Sequence, residues 1–555
     1  MKKSHTYTLE GRIVDVVHQR ILEGSVILQD GIITKIQEHP TSETSYLLPG
    51  FVDAHIHIES SLLVPTEFAR LAVQHGTVAT VSDPHEIGNV LGIEGVLYML
   101  ENAAHTPLKF LFGAPSCVPA TCPEFETSGS TIDADGVTQL LARTDIGYLA
   151  EVMNFPGVLH GDEQVHKKIK AALTARKPID GHFPGGKGLD AKHYIEAGNP
   201  GGVVISTDHE CFTLEEALDK LSFGMKILIR EGSAAKNLEA LHMLFSHTSP
   251  ENIMLCSDDR HPDTLSEGHM NRLVQVLIQK GHSPLSVITS ATKTPVDHYG
   301  MNVGLLQIGD PADCIRIRDL KDIEVLETYI DGERVYGDSR CTLPSFPVPL
   351  VNAFHRSPIQ AEDLLVHAQG EEIRAIKIID GELITKEERV HAFIQNGCYE
   401  SDISKDLVKL VVVNRYSDTP ISVAFATGTK LQTGAIASSV GHDCHNIIAL
   451  GTNDEDLTNA INTIIAHKGG LSLSSGAKQE ILPLPVAGIM SDQPAEEVAH
   501  RYTALDTQAK ELGTTLRAPY MSLSFLALLV IPELKLSDKG LFDGKRFEFV
   551  SLHLK

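Results

Sequence analysis

The sequence lacks the apolar segment that a membrane helix needs. Crossing a bilayer takes about 20 consecutive apolar residues, and the nearest approach, SFLALLVIPEL, has only residues 525–531 before it reaches Pro532. The first residues, MKKSHTYTLEGRIVD, carry two lysines with no apolar stretch behind them, so a signal peptide is not expected. We therefore expect no membrane partner and a cytoplasmic location.

Cysteine is sparse and without pattern. The chain has 8 cysteines in 555 residues, and the closest pair, Cys117 and Cys122, has the spacing of neither a zinc ribbon nor a disulfide framework. Reduced thiols are the expected state, which agrees with the cytoplasm.

Basic residues are outnumbered by acidic ones. Lys and Arg total 47 against 72 Asp and Glu, which gives a formal net charge of -25. A surface this acidic repels phosphate backbones and anionic lipids, so nucleic acid is not an expected partner. A neutral small molecule is compatible with it. Hydrophobic residues at 42% and charged residues at 21% are typical of a globular protein, and the length predicts two or three domains.

Strand-like segments flank a long central region. β-Branched residues cluster around Asp30-Gly31 near the start and again around Asp331-Gly332, and both dipeptides are typical of hairpin turns. The two pieces, residues 1–47 and 298–342, predict one small β-sandwich domain built from both flanks.

Residues 48–297 alternate short strand-like runs with helix-length segments. Examples of the strand runs are residues 78–82, 109–113, 148–152, 203–207 and 252–257, and examples of the helices are 214–221 and 238–245. Alternation over about 250 residues predicts an α/β fold of the TIM-like (β/α)₈ barrel type. An open doubly wound sheet is the alternative, and the absence of Gly-x-Gly-x-x-Gly after the first strand disfavours it.

A third region follows the proline-rich segment LPSFPVPL (343–350). Residues 350–555 mix strand-like runs (407–413 and 421–425) with helical ones (457–467 and 496–512), which predicts a separate C-terminal α+β domain. Covering the barrel mouth and mediating assembly are both open as its role.

The motif PGFVDAHIH (49–57) ends the predicted first barrel strand. Residues two apart on a strand project to one face, so His55 and His57 can bind one metal ion together. The carboxyl ends of barrel strands form the catalytic face of this fold. We therefore predict a metal site there.

Further candidate ligands stand at the ends of later strand runs: Glu151, His182, His209 and Asp258. Taken singly, a strand-end carboxylate can cap the next helix and a histidine can be a core residue. Their order along one predicted barrel favours a shared metal site.

This arrangement resembles the amidohydrolase superfamily over the first 340 or so residues. The family places His-x-His on strand one, a bridging ligand on strand four, histidines on strands five and six and an aspartate on strand eight; the matching residues are His55, His57, Glu151, His182, His209 and Asp258. The motifs HIHIESS (55–61), SDPHEIGN (82–89), STDHE (206–210) and, in the last region, VGHDCHN (440–446) resemble the adenine deaminases within it.

The resemblance implies hydrolytic deamination of adenine to hypoxanthine and ammonia at two divalent metal ions, manganese or iron rather than zinc, in a homo-oligomer. Asp258 is then the proton shuttle, and Glu210 is a candidate donor to the purine ring or a group that orients His209. His85 and Glu86 either contact the purine or order their loop. His442 and His445 could hold a metal or serve the structure.

Two rival functions stay open at this point. Another amidohydrolase reaction, such as opening a cyclic amide, would use the same ligands. A barrel without catalytic activity would serve as a scaffold. A nucleic-acid deaminase is excluded, because the His-x-Glu and Pro-Cys-x-x-Cys signature is absent.

Overall fold

Both flanks contribute strands to one small β domain, as predicted, and these strands pair in a single eight-stranded sheet. The computed structural model describes residues 6–233 and 235–554, so the ends of two predicted domains, residues 1–5 and 555, lie outside it. The eight strands of this sheet are Thr6–Asp15, Arg20–Gln29, Ile32–Glu38, Tyr46–Pro49, Cys314–Ile317, Val325–Ile330, Glu333–Gly337 and Arg340–Cys341. Tyr46–Pro49 joins the flanks, because it pairs with Thr6–Asp15 on one side and with Cys314–Ile317 on the other.

The central region is a parallel barrel, which confirms the predicted fold class. Its strands are Phe51–His57, Thr77–Ser82, Lys109–Ala114, Ile146–Val152, Ile179–Gly181, Thr207–Asp208, Lys226–Arg230, Ile253–Cys256 and Asp258–Asp259. The eighth strand is interrupted at Ser257, and its second piece, Asp258–Asp259, pairs with Phe51–His57. Because the last strand pairs with the first, the sheet curls back on itself and the open doubly wound alternative is wrong.

Helices connect these strands. They are Pro65–Ala72, His85–Leu91, Ile93–Ala103, Ala134–Leu141, Phe155–His160, Glu163–Ala175, Gly188–Glu196, Leu214–Ser222, Leu238–Leu241, Pro262–Glu267, Met270–Gln279, Pro284–Ser290 and Lys293–Tyr299. The predicted helix over 238–245 ends early, and a 3-10 turn, His242–Ser246, continues it.

The prediction of a strand over 203–207 is wrong for most of its length. Only Thr207–Asp208 pairs with its neighbours. The backbone amides of Val204 and Ile205 both donate to the carbonyl of Ile195, at the end of the preceding helix. This tertiary contact takes the amides that a longer strand would have used.

The C-terminal region is α+β, as predicted. Its eight-stranded sheet contains Glu372–Lys377, Lys386–His391, Val408–Val413, Ser422–Thr427, Ala435–Ser438, Ile447–Gly451, Gly470–Ser475 and Lys478–Pro483; short strands lie at Phe393–Gln395, Cys398–Glu400, Leu534–Ser537, Gly540–Asp543 and Glu548–Phe549, and helices at Asp454–His467, Ala495–Glu511 and Pro519–Ser524. Asn453 caps the first of these helices by accepting a hydrogen bond from the Asp456 amide.

This region packs against the ends of the barrel strands. The backbone amide of Ala495 donates to the buried carboxylate of Glu67, and the side chain of Asn446 donates to the Thr127 carbonyl. Tyr502, on the helix Ala495–Glu511, hydrogen bonds His261 just after the eighth strand. Among the described residues, no helix combines the length and apolar character needed to cross a bilayer.

Candidate metal centre

The structure brings all six predicted ligands together at the carboxyl end of the barrel. His55 and His57 lie at the end of strand one, Glu151 on strand four, His182 and His209 directly after strands five and six, and Asp258 in the second piece of strand eight. Each of the six side chains is buried. They form overlapping groups whose ligand atoms lie within 4.8 Å of one another.

The two strand-one histidines face each other. Their Nε2 atoms are 3.2 Å apart, and Asp258 Oδ1 lies 3.3 Å from His57 Nε2 and 3.7 Å from His55 Nε2. The other ring nitrogen of His57, Nδ1, hydrogen bonds the backbone carbonyl of Asp83 at 3.2 Å. A bond of this kind fixes the ring so that Nε2 faces the site.

Glu151 lies between the two halves of the cluster. One carboxylate oxygen, Oε1, is 3.3 Å from His57 Nε2; the other, Oε2, is 2.6 Å from His182 Nδ1 and 3.2 Å from His209 Nε2. Burial opposes ionisation of Glu151, but His182 and the other facing histidines outweigh it and hold its pKa well below the ordinary value. An ionised carboxylate with its oxygens turned to different histidines has the geometry of a bridging ligand.

The donor set fits divalent metal ions. Ligands about 2.1 Å from one shared ion, at angles of 90° or a little more, lie about 3.0 to 3.4 Å apart. The contacts of His57 with His55, Glu151 and Asp258 all fall in this range. His182 Nε2 is buried without a hydrogen-bond partner among the described residues. Buried imidazoles and carboxylates suit zinc, manganese and iron alike.

Arg230 pairs with two carboxylates beside the cluster. It ends strand seven, and it donates to Asp258 Oδ2 at 2.6 Å and to both oxygens of Glu210. Burial raises the pKa of Asp258, but the Arg230 guanidinium lowers it by more. The pKa of Asp258 therefore lies well below its usual range. Glu210 Oε1 also lies 3.4 Å from His209 Nε2. Glu210 therefore touches a candidate ligand and the partner of Asp258.

His85 and Glu86 lie between the metal cluster and the C-terminal region. His85 Nδ1 is 3.5 Å from Glu151 Oε1, and its Nε2 is 3.5 Å from Glu86 Oε1. Glu86 itself contacts His442 Nδ1 at 2.6 Å and His445 Nε2 at 2.5 Å. Glu86 of the barrel therefore connects His85, beside the metal cluster, to both histidines of the C-terminal region.

A cavity adjoins the cluster. Its lining contains five of the six candidate ligands together with His85, Glu86, Glu210 and Arg230. Residues of the C-terminal region complete it, namely Leu383, His442, Asp443, Phe525, Leu528 and Ile531. The C-terminal region therefore covers the barrel mouth.

Arg230 and the apolar lining were not predicted from the sequence. Arg230 ends the apolar run KILIR, and a charge at the end of a buried strand is the signal that could have identified it. The apolar residues carry no comparable signal, because only the docking of the C-terminal region brings them to the site.

Two family descriptions match the chain. Residues 46–335 match the amidohydrolase family, and residues 382–548 match the adenine deaminase C-terminal domain. The adenine deaminase of Methanosarcina acetivorans is 49% identical over 553 residues, covering 98% of each chain. That of Sulfurovum sp. is 51% identical over 547 residues, covering 98% of this chain and 99% of the relative.

Solved structures resemble the chain more distantly. A β-aspartyl dipeptidase from Fervidobacterium islandicum is 13% identical with a TM-score of 0.47, covering 62% of this chain and 100% of that one.

Proposed function

The chain belongs to the adenine deaminase family, and from that membership we propose that it hydrolyses adenine to hypoxanthine and ammonia. The observation that carries the proposal is the convergence of His55, Glu151 and Asp258 with three further histidines beside a cavity. Relatives that bear this name match both the barrel and the C-terminal region, which provide the two sides of that cavity.

His55, His57, Glu151, His182, His209 and Asp258 are the proposed ligands of two divalent ions. We propose manganese or iron as the native metal, with zinc as the alternative that the same donors can hold. A bound ion lowers the pKa of a coordinated water toward about 7 and so supplies the nucleophile. The amidohydrolase match and the buried clusters support divalent metal use.

Asp258 is the proposed proton shuttle. Its Oδ2 is held by Arg230, which fixes the plane of the carboxylate and turns Oδ1 toward His55 and His57. The depressed pKa keeps Asp258 ionised and able to accept the remaining proton of the attacking hydroxide. It then passes that proton to the departing amine, so that ammonia leaves as a neutral molecule.

Glu210 is the proposed source of the proton that the purine ring takes up beside C6. It lines the cavity next to Asp258 and shares Arg230 with it. Its contact with His209 supports the second role, in which it orients that ligand. His85 and Glu86 are proposed to contact the base, because both line the same cavity.

Ammonia release is the direct test. The purified full-length chain is assayed with adenine, adenosine and cytosine, before and after chelation and with manganese or iron restored. We expect ammonia from adenine, its loss on chelation and its return with the metal. Ring opening of a hydantoin without ammonia from adenine would favour the cyclic-amide reaction. A chain that binds no transition metal would favour the scaffold.

A further inference from the structure

The cavity beside the metal centre has a polar side and an apolar side. The polar side consists of the candidate ligands and their charged neighbours. The apolar side contains Met153 from the barrel and four residues of the C-terminal region, Leu383, Phe525, Leu528 and Ile531. We call these four residues the apolar wall. All four are buried, and none of them belongs to the barrel that holds the proposed ligands.

The aromatic member of the apolar wall is held in a fixed orientation. The ring of Phe525 stacks on His442 with centroids 4.4 Å apart and planes 9° from parallel. His442 is in turn paired with Glu86 of the barrel at 2.6 Å. The orientation of Phe525 is therefore tied to the helix His85–Leu91, whose first residue contacts Glu151 of the metal cluster.

A buried lysine connects two separate segments of the apolar wall. Lys535 is fully buried, and its Nζ donates to the carbonyl of Leu383 at 2.7 Å and to that of Phe525 at 2.9 Å. These segments are far apart in the sequence, and Lys535 hydrogen bonds the backbone of both. No carboxylate pairs with Lys535 among the described residues, and burial lowers its pKa to about 7.

A lysine in this position is costly to the fold. Burying an amine without an anionic partner is unfavourable, and a hydrophobic side chain of similar size would fill the same space without that penalty. The two carbonyl hydrogen bonds are what the amine contributes, and both restrain backbone that carries a cavity-lining side chain. This placement favours a role in the geometry of the site.

We propose that the apolar wall binds the face of a flat, neutral heteroaromatic base and that Lys535 is the residue that positions it. The inference rests on the proposed function, since it assigns the base of that reaction to this side of the cavity. Aromatic and aliphatic side chains bind such bases by stacking and burial. The polar side of the cavity then faces the edge of the base at which the reaction takes place. Lys535 acts through Leu383 and Phe525 and touches no substrate.

The test compares three variants of the full-length, metal-loaded chain. Phe525→Leu removes the aromatic face, and Lys535→Met removes both hydrogen bonds at nearly constant volume. Lys409→Met is the matched control: Lys409 is also fully buried in the C-terminal region, but it pairs with Asp454 and does not line the cavity. Steady-state kinetics with adenine, bound metal and thermal unfolding are measured for each.

We expect Phe525→Leu and Lys535→Met to raise KM for adenine about tenfold, with kcat within about threefold of wild type and unchanged metal content. Lys409→Met lowers the unfolding temperature and leaves KM unchanged. An unchanged KM in folded Phe525→Leu would contradict the binding of the base by the apolar wall. An unchanged KM in folded Lys535→Met would contradict the positioning role of Lys535. If Lys535→Met does not fold, Phe525→Leu alone decides whether the wall binds the base.

Failure of the inference is distinguishable from failure of the proposed function. Calorimetric binding of adenine and of hypoxanthine to wild type and variants requires no turnover. A wild type that binds adenine without releasing ammonia contradicts the function, and the affinities of the variants still test the wall. If the wild type deaminates adenine and the variants have the same KM as wild type, only the role of the apolar wall in binding the base is contradicted.

Discussion

Arg230 donates hydrogen bonds to both Glu210 and Asp258. Arg230 ends strand seven, and it therefore connects Glu210, which follows strand six, to Asp258 in strand eight. All three side chains are buried. The two carboxylates raise the pKa of the guanidinium, against the effect of burial. One guanidinium therefore lies between two carboxyl groups at the edge of the metal cluster.

Replacing Arg230 with Met should destabilise the fold and slow turnover together. Removing one partner of a buried ion pair costs about 3–5 kcal/mol, because the remaining charge is left uncompensated. Here two carboxylates lose their partner, and Asp258 also loses the contact that fixes its plane. Denaturant unfolding and kcat measure the two effects.

Arg260→Met is the control for this variant. Arg260 is a buried arginine directly after strand eight, and its hydrogen bonds within the described part of the chain go only to the backbone carbonyls of Glu231 and Thr264. It should lower stability with little change in kcat. Equal kcat losses in the two variants would contradict a specific role of Arg230.

Replacing Asp258 with Asn should abolish turnover and leave metal content nearly intact. The amide keeps the shape of the side chain but cannot take up the proton of the attacking hydroxide. Loss of a general acid–base group lowers kcat by about 10²–10⁴-fold. Elemental analysis of the purified variant separates lost chemistry from lost metal. Near-normal turnover in Asp258→Asn would contradict the assignment of Asp258 as the proton shuttle.

Replacing Glu210 with Gln distinguishes its two proposed roles. Gln can still hydrogen bond Arg230 and approach His209, but it cannot deliver a proton. A donor role predicts a fall in kcat of about 10² or more and the loss of one limb of the pH–rate profile. An orienting role predicts a smaller fall with both limbs retained, together with weaker metal binding.

The metal site was largely predictable from the sequence because its ligands follow a local rule. His55 and His57 are two apart on one strand, and the other ligands stand where later strands end, so the barrel topology alone brings them together. The bounds of strand six were not predictable in this way, since Val204 and Ile205 give their amides to Ile195. That contact depends on how the preceding helix packs.

The apolar side of the cavity could not be predicted for a related reason. In the sequence, residues 525–531 are distinguished only as an apolar run that is too short for a membrane helix. Their side chains reach the metal centre because the C-terminal region docks on the barrel mouth. Arg230 was missed because an arginine at the end of a strand is usually exposed, and here the carboxylates of Glu210 and Asp258 keep it buried.

His261 should make the fold sensitive to acid. It is fully buried against Tyr502 of the C-terminal region, and burial lowers its pKa to about 3 from an ordinary value of 6.5. Below pH 6.5, His261 therefore binds a proton in the unfolded chain but stays neutral in the folded chain. The contribution of this residue to stability is complete above pH 6.5 and falls as the pH drops toward 3, by about 1.4 kcal/mol per unit.

Replacing His261 with Gln should remove this part of the acid sensitivity. Between pH 7.5 and 5.5 the wild type loses about 1.4 kcal/mol of unfolding free energy through His261, and the variant keeps it. Urea unfolding at both pH values measures the difference. His160→Gln, an exposed histidine replaced in the same way, is the control for the substitution itself. If the His261 variant loses as much stability on acidification as wild type, the buried neutral histidine does not contribute to the acid sensitivity of the fold.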